Sequence, residues 1–305
     1  MYTFIINPNA RSGLGKKIWN ELEEILKERN IEYQALFTKY QRHATQLVRD
    51  LTSDGREHTI VALGGDGTVN EVVNGIYDLT KVTFGYIPIG SSNDFARHFK
   101  LNGDPKQSLE RILNPKEYSA MNIGVLEYQN RRRRFAVSTG IGFDAAVCHQ
   151  VVVSPVKKFL NKIHLGKLTY VTIAIDRLIN QKLCTTTVTL DNGKTHAFKG
   201  TYLIACMNHP YQGGGLKFCP KADPCDDLLD VIVAAGFPKP KLLFVLPCGY
   251  KGWHTIFKGI HIYRCKKVEI EVERAWPVHS DGEPIYLQKK IAVSLEPEKM
   301  KVITK

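Results

Sequence analysis

The apolar run Ile60-Val61-Ala62-Leu63 passes directly into Gly64-Gly65-Asp66-Gly67-Thr68-Val69-Asn70-Glu71, the order of a buried strand, a glycine turn and a helix. That order reads as a phosphate site. Glycines let the backbone take positive φ and approach a ligand closely, and a helix opening near Val69 aims unpaired N–H groups at an anion. Asp66 needs a reason to sit among phosphates. A carboxylate is repelled there unless a metal cation or a hydroxyl donor intervenes, so Mg²⁺ or a ribose contact is expected. Taken alone, Gly-Gly-Asp-Gly also makes an ordinary turn.

A second polar turn, Pro88-Ile89-Gly90-Ser91-Ser92-Asn93-Asp94-Phe95-Ala96-Arg97, follows another strand-like run from Thr83 to Ile87. In an open α/β sheet such turns gather at the carboxyl ends of the strands, where ligands bind. Strand and helix signals alternate through the first 120 or so residues: Tyr2 to Ile6, a helix from Lys16 to Arg29, Tyr33 to Phe37, a helix from His43 to Leu51, then Thr59 to Leu63. Alternation of this kind implies a parallel sheet. Beyond Asn114-Pro115-Lys116 the runs become β-rich and antiparallel in character, interrupted by a helical stretch from about Leu165 to Asn180.

These motifs resemble the diacylglycerol kinase catalytic family, lipid kinases that include bacterial diacylglycerol kinases and the sphingosine and ceramide kinases. Besides the two turns, the likeness rests on Asn7-Pro8-Asn9-Ala10-Arg11-Ser12-Gly13-Leu14-Gly15, Gly140-Ile141-Gly142-Phe143-Asp144-Ala145, Gly213-Gly214-Gly215-Leu216-Lys217 and Asp281-Gly282-Glu283, and so spans nearly the whole chain. Gly-Gly-Asp-Gly is also similar to the motif of NAD kinases and phosphofructokinases. The Asn93 to Arg97 segment and the late Asp-Gly-Glu point to the lipid branch.

The resemblance implies an α/β nucleotide-binding domain of the NAD kinase and diacylglycerol kinase type, residues 1–122 with 288–305, and a mostly antiparallel β-sandwich lipid domain, residues 123–287. It implies transfer of the γ-phosphoryl group of ATP, with Mg²⁺, to a lipid hydroxyl. Diacylglycerol, giving phosphatidic acid, is the default acceptor, with sphingoid bases, ceramide or a polyprenol as alternatives and a weakly catalytic regulator as the reading of another class. Asn7, Pro8, Ser12, Gly13, Thr38, Gly64, Gly65, Asp66, Gly67, Thr68, Glu71, Gly90, Ser91, Asn93, Asp94 and Arg97 are the expected nucleotide residues. Asp66 and Asp94 are expected at the metal, and Arg97, three residues after Asp94, offers a fork to phosphate or locks a carboxylate.

Asp281 is the general base by resemblance, and Glu283, read as two residues along one strand and hence on the same face, orients it or binds metal. Without the family, Ser280 to Glu283 reads as a solvated turn. Asp223, Asp226 and Asp230 resemble a structural Mg²⁺ site, since clustered carboxylates suit a hard cation. Two departures bear on it: Asp226-Asp227 stands where the family commonly has Asp-Gly, and Asn122 where many relatives carry aspartate. Any network from that aspartate must be altered, with Asp144 a substitute.

At 305 residues and 43% hydrophobic, the chain suits two domains. Its longest apolar runs fall far short of the roughly 20 residues of a membrane span, and the start shows no secretion signal, so a cytoplasmic protein, peripheral at the inner membrane face, is expected. Seven scattered cysteines without a Cys-x-x-Cys fit reduced thiols. Lys and Arg exceed Asp and Glu by 42 − 30 = 12. Anionic lipid is the expected partner, through Arg131 to Arg134, Val156 to Lys162 and Lys239 to Lys251, although a charge run is also an ordinary solvated hairpin. No nucleic-acid module accompanies the charge. Oligomeric state is open, a homodimer among the options.

Overall fold

The computed structural model describes residues 1–153, 176–178 and 180–305, with the side chains of residues 12 and 151–153 outside the description. The helical stretch expected from Leu165 to Asn180 and the basic run from Val156 to Lys162 therefore lie largely or wholly outside the described residues.

The first sheet is built from β1 (Tyr2–Ile6), β2 (Tyr33–Phe37), β3 (His58–Gly64), β4 (Val82–Pro88), β5 (Tyr118–Met121) and β17 (Met300–Ile303), in the order β2-β1-β3-β4-β17-β5. All neighbours run parallel except β5, which is antiparallel to β17. Residues alternate between the two faces at the strand period of two. Ile5, Ile60 and Ala62 pack with α2 (His43–Thr52), α3 (Asp66–Gly75) and α4 (Asp94–His98). Phe4, Ile6, Val61 and Leu63 pack on the other face with α1 (Ala10–Glu28) and α5 (Pro105–Leu113). In α1 the spacing of Trp19, Leu22 and Leu26 turns one stripe inward, which is why this charged helix lies flat on the sheet.

The second sheet has nine strands, including β6 (Gly124–Tyr128), β7 (Arg131–Phe135), β8 (Ser138–Gly142), β9 (Cys184–Leu190), β10 (Thr195–Met207), β13 (Leu229–Ala235), β14 (Ile260–Cys265), β15 (Lys267–Ser280) and β16 (Glu283–Leu295). Its neighbours are antiparallel, and β9 pairs with both β10 and β15. Folded round Ile141, Val188, Ile204, Val231, Val268, Ile270, Ile291 and Val293, it forms the β-sandwich. A short hairpin, β11 (Tyr211–Gln212) with β12 (Leu216–Lys217), stands apart from both sheets. Because β16 stays paired through Leu295, the chain returns to the first sheet only beyond that residue, not from 288.

The Arg131 to Arg134 run stitches the two units together. Arg132 and Arg134 both close on the carboxylate of Glu296, Arg133 donates to Asn70 Oδ1 at 2.8 Å, and Arg134 exchanges backbone bonds of 2.9 Å with the Asn74 amide. Three of these arginines thus have partners within the molecule, although Arg132 stays half exposed. Glu296 is held below the usual carboxylate range by the two guanidiniums, against the opposing effect of its burial.

Candidate active site

Parallel register sets the carboxyl ends of the first four strands level. Ile6 lies opposite Phe37 and Leu63, and Gly64 opposite Pro88, so Asn7, Thr38, Gly65 and Gly90 leave the sheet side by side. Two glycines are required by the approach of the turns to each other: a Cβ at Gly90 would come within 2.6 Å of the Gly65 Cα. At Gly64 a Cβ would strike Thr68 Oγ1 at 2.2 Å. Thr68 Oγ1 in turn accepts from Asn7 Nδ2 at 3.4 Å, joining the first loop to the glycine turn. The helix opens at Asp66, not near Val69, so Asp66 and Gly67 lie in the first turn of α3, where backbone N–H groups lack helical acceptors.

The remaining expected nucleotide residues sort by what they touch. Pro8 O accepts from Lys16 N at 3.3 Å, Gly13 has φ +95° at the exposed start of α1, Ser91 is exposed, and the Ser12 side chain is not described. Asn93, at φ +50°, donates to Gly90 O at 3.0 Å and accepts from the Tyr86 hydroxyl at 3.2 Å, which holds the second turn rigid. Glu71 points elsewhere. Its oxygens accept from the backbone N–H groups of Arg42 and Ala44 at 2.8 and 3.1 Å, so it caps α2 and anchors the loop after Thr38 instead of facing a nucleotide.

Asp66 and Asp94 converge from α3 and α4. Burial first, and the Asp94 charge second, push the Asp66 carboxyl up to about 6. Asp94 is raised too, chiefly by burial; its Oδ2 accepts from Gly214 N at 2.8 Å, and its Oδ1 is buried without a hydrogen bond, 3.6 Å from Arg97 Nε. Arg97 also reaches Ser92 O at 3.2 Å and lies over the Tyr211 ring. Two buried carboxylates, one with an open buried oxygen, suit a hard cation that draws its other ligands from phosphate and water. Mg²⁺ carried on a nucleotide fits here, on Asp66 and Asp94.

The late carboxylates come from the opposite sheet. Asp281 and Gly282, at φ +48° and +79°, form the two-residue turn between β15 and β16, so Asp281 and Glu283 do not share a strand face. Nor is the turn simply solvated. Asp281 accepts four N–H bonds, from Asn70 Nδ2, Ala136 N, Val137 N and Ser138 N, all at 2.8–2.9 Å. Glu283 Oε2 accepts from Gln41 Nε2 at 2.9 Å, while Oε1 lies 3.5 Å from where a Cβ of Gly67 would stand. Glu283 thus overhangs the phosphate turn.

Behind this hairpin, buried His279 contacts Asp144 Oδ2 through Nε2 at 2.9 Å and accepts from Gly282 N on Nδ1 at 3.2 Å, which makes Nε2 the protonated nitrogen. Gly140 is glycine because a Cβ would meet Asp144 Oδ2 at 2.2 Å. Asp144 therefore braces the hairpin and does not stand in for an acid at Asn122. Asn70, Gln41, Gly214 and the 136–138 backbone are the site residues that sequence reasoning missed. They act through bonds spanning 120 to 242 residues, which leave no local pattern.

Asp223, Asp226 and Asp230 are not brought together as one set of ligands among the described residues. Arg264 closes on Asp226 and lies 3.5 Å from Asp230, and Asp223 turns its carboxylate to Cys225 N at 3.0 Å. Among the described residues no group of three His, Cys, Asp or Glu side chains is placed to hold a metal ion. The two departures noted in the sequence form one unit. Asp227 takes φ +65°, the left-handed conformation that glycine adopts freely, and Asn122 exchanges bonds of 2.9 and 3.0 Å with it while Lys299 pairs with its carboxylate at 2.8 Å.

Comparison with known proteins agrees with this geometry. Residues 1–125 match the family model of the diacylglycerol kinase catalytic domain, and residues 137–304 that of the YegS C-terminal NAD kinase beta sandwich-like domain. YtlR of Bacillus subtilis, named a candidate lipid kinase, is 28% identical over 92% of each chain. A diacylglycerol kinase of Mycobacterium tuberculosis is 26% identical over 92% of this chain and 88% of its own. Among solved structures, a candidate diacylglycerol kinase from Bacillus anthracis superposes with a TM-score of 0.78 at 23% identity, covering 99% of this chain and 94% of its own. An NAD kinase from Archaeoglobus fulgidus in complex with ATP does so at 0.58 and 12%, covering 99% and 93%. The two structures speak for the fold alone. With both family models matched in order along one chain, the protein belongs to the diacylglycerol kinase family of lipid kinases.

Proposed function

We propose that the chain transfers the γ-phosphoryl group of ATP to the hydroxyl of diacylglycerol, giving phosphatidic acid. The carrying observation is the cleft itself: a glycine-built phosphate turn with Asp66 and Asp94 on one wall, faced by the Glu283 carboxylate from the other. Phosphoryl transfer demands positioned phosphates, neutralised charge and an acceptor for the hydroxyl proton, and the site offers a group for each. The first turn of α3 and the Asn7–Thr68 contact cradle the phosphates. Mg²⁺, when bound on Asp66 and Asp94, offsets phosphate charge. Arg97, fixed by Asp94 and Ser92, directs its charge along the same wall.

The two hairpin carboxylates divide the remaining work. Asp281 is committed to four N–H bonds and holds the turn, whereas Glu283 has an oxygen open toward the phosphate turn and takes the proton. Labelled ATP with Mg²⁺ and diacylglycerol, ceramide, sphingosine or undecaprenol in anionic micelles tests both parts. Glu283→Gln is expected to cut kcat about 10²- to 10⁴-fold at unchanged thermal midpoint, and Asp281→Asn to lower midpoint and kcat together. A fully active Glu283→Gln enzyme removes Glu283 as base and returns the role to Asp281. Transfer to another lipid alone replaces diacylglycerol as the acceptor.

A further inference from the structure

Between Asp230 and Glu269 the chain carries seven Lys or Arg and no acidic residue. This stretch contains α6 (Lys239–Cys248) and the helical turns Gly249–Lys251 and Trp253–Ile256. Its large apolar side chains face outward: Phe244 is 72% exposed, Trp253 63% and Ile256 81%, with Leu243 and Tyr250 also exposed. Lys251 and Lys258 are exposed beside them. Three such groups on one 20-residue stretch are costly in water unless something apolar covers them.

The segment also sits next to the cleft. Gly249 backs onto Leu216, where a Cβ would come within 2.5 Å of Leu216 Cδ2, and His254 Nε2 donates to Phe218 O at 2.9 Å. Leu216 belongs to β12, and the loop joining β12 to β11 supplies the Gly214 N–H that holds Asp94.

We propose that Leu243, Phe244, Tyr250, Trp253 and Ile256, with Lys251 and Lys258, form the face on which the protein docks on an anionic lipid bilayer, bringing the membrane that carries its substrate to the cleft. This rests on the lipid kinase reading for its purpose, but not for its physics. Aromatic rings settle at the headgroup level, aliphatic groups reach the acyl boundary, and lysines add attraction to anionic lipid that no acid within this stretch opposes. A protein partner would instead need a matched apolar surface bearing carboxylates, and nothing along this stretch offers it a complementary acid–base pattern.

The test uses intrinsic fluorescence, because Trp19 and Trp276 are buried and Trp253 alone of the three is exposed. Titration with phosphatidylglycerol–phosphatidylcholine vesicles is expected to shift the emission to the blue and to sediment the protein, with little effect from phosphatidylcholine alone. Phe244→Ser with Ile256→Ser is expected to abolish the shift, and Lys251→Gln with Lys258→Gln to weaken vesicle binding about thirtyfold at low salt. Phosphorylation of vesicle-borne diacylglycerol falls in parallel, while transfer to a soluble short-chain diacylglycerol is unchanged in both variants. Absence of vesicle binding, or undiminished binding by both variants, overturns the proposal. Self-association that the Phe244→Ser, Ile256→Ser variant loses, without vesicle binding by the wild type, overturns it in favour of an interface between copies. If vesicles bind as expected but no acceptor is phosphorylated, the surface stands and the catalytic reading falls.

Discussion

Asp66 and Asp94 stand in the cleft with a single arginine to one side, whereas Asp226 and Asp230 close on Arg264 and their neighbour Asp227 on Lys299. The residue types are the same, and so is the crowding of carboxylates. What differs is the supply of internal cations. Asp230 on β13 lies directly opposite Arg264 on β14, so the antiparallel register itself delivers a guanidinium to the second cluster. The first cluster sits at helix starts over the ends of parallel strands, where among the described residues no neighbouring strand pairs a lysine or arginine with it. One pair keeps a buried carboxylate oxygen without a hydrogen bond, with Arg97 only at 3.6 Å, and the other has its cation built in.

The comparison breaks most visibly at Asp66. Asp66→Asn keeps the acceptor for Phe95 N and removes a charge that burial and Asp94 oppose. Phosphoryl transfer is expected to fall about 10³-fold, a typical cost for losing an electrostatic contact made in the transition state. Thermal midpoint at pH 7.5 is expected to hold or rise, because a carboxyl raised in the folded state disfavours folding once it is ionised. Steady-state kinetics beside differential scanning calorimetry reads both; a lowered midpoint with intact turnover would make Asp66 structural. The opposite pattern is expected at Arg264→Ala. Leaving Asp230 unpaired costs about 2 kcal/mol, less than for a fully buried pair because Arg264 is half exposed, with transfer per folded molecule unchanged. Millimolar Mg²⁺ that restores the midpoint of this variant would show that the cluster can take a metal once its arginine is gone.

Much of the fold was legible because periodicity is local: the strand and helix alternation, the two turns and their meeting at the carboxyl ends all follow from short patterns. Helix onset was misplaced because Val69 is the first apolar residue of α3, while the backbone turns helical already at Asp66. Asp-Gly between β15 and β16 is itself a hairpin signal, and its two positive φ angles match it, so the shared-face reading of Asp281 and Glu283 overlooked information that was present. The fate of Arg131 to Arg134, of Glu71 and of the Asp223 to Asp230 cluster was not legible. Each depends on a partner far along the chain, at Glu296, Arg42 and Arg264, that only the folded register brings near. Asn122 and Asp227 were read as two separate losses and are one mutual exchange of hydrogen bonds.

The gentlest way to sharpen the comparison is pH. Burial, outweighing the help of Arg264, raises the Asp230 carboxyl to about 6. Its unfolded value is near 3.9, so the folded state binds the additional proton between those values, and stability present below about pH 4 is lost as pH rises through 6. Asp230→Asn removes that dependence. Wild type and variant are therefore expected to melt together at pH 4 and to diverge by a few degrees by pH 7, with the variant higher and the gap constant above that. Because Asp226 keeps Arg264 occupied in the variant, the loss of one carboxylate does not strand the guanidinium. A wild type that instead melts above the variant throughout pH 5–7 would mean that Arg264 holds Asp230 ionised across that range, making the built-in cation stronger than burial.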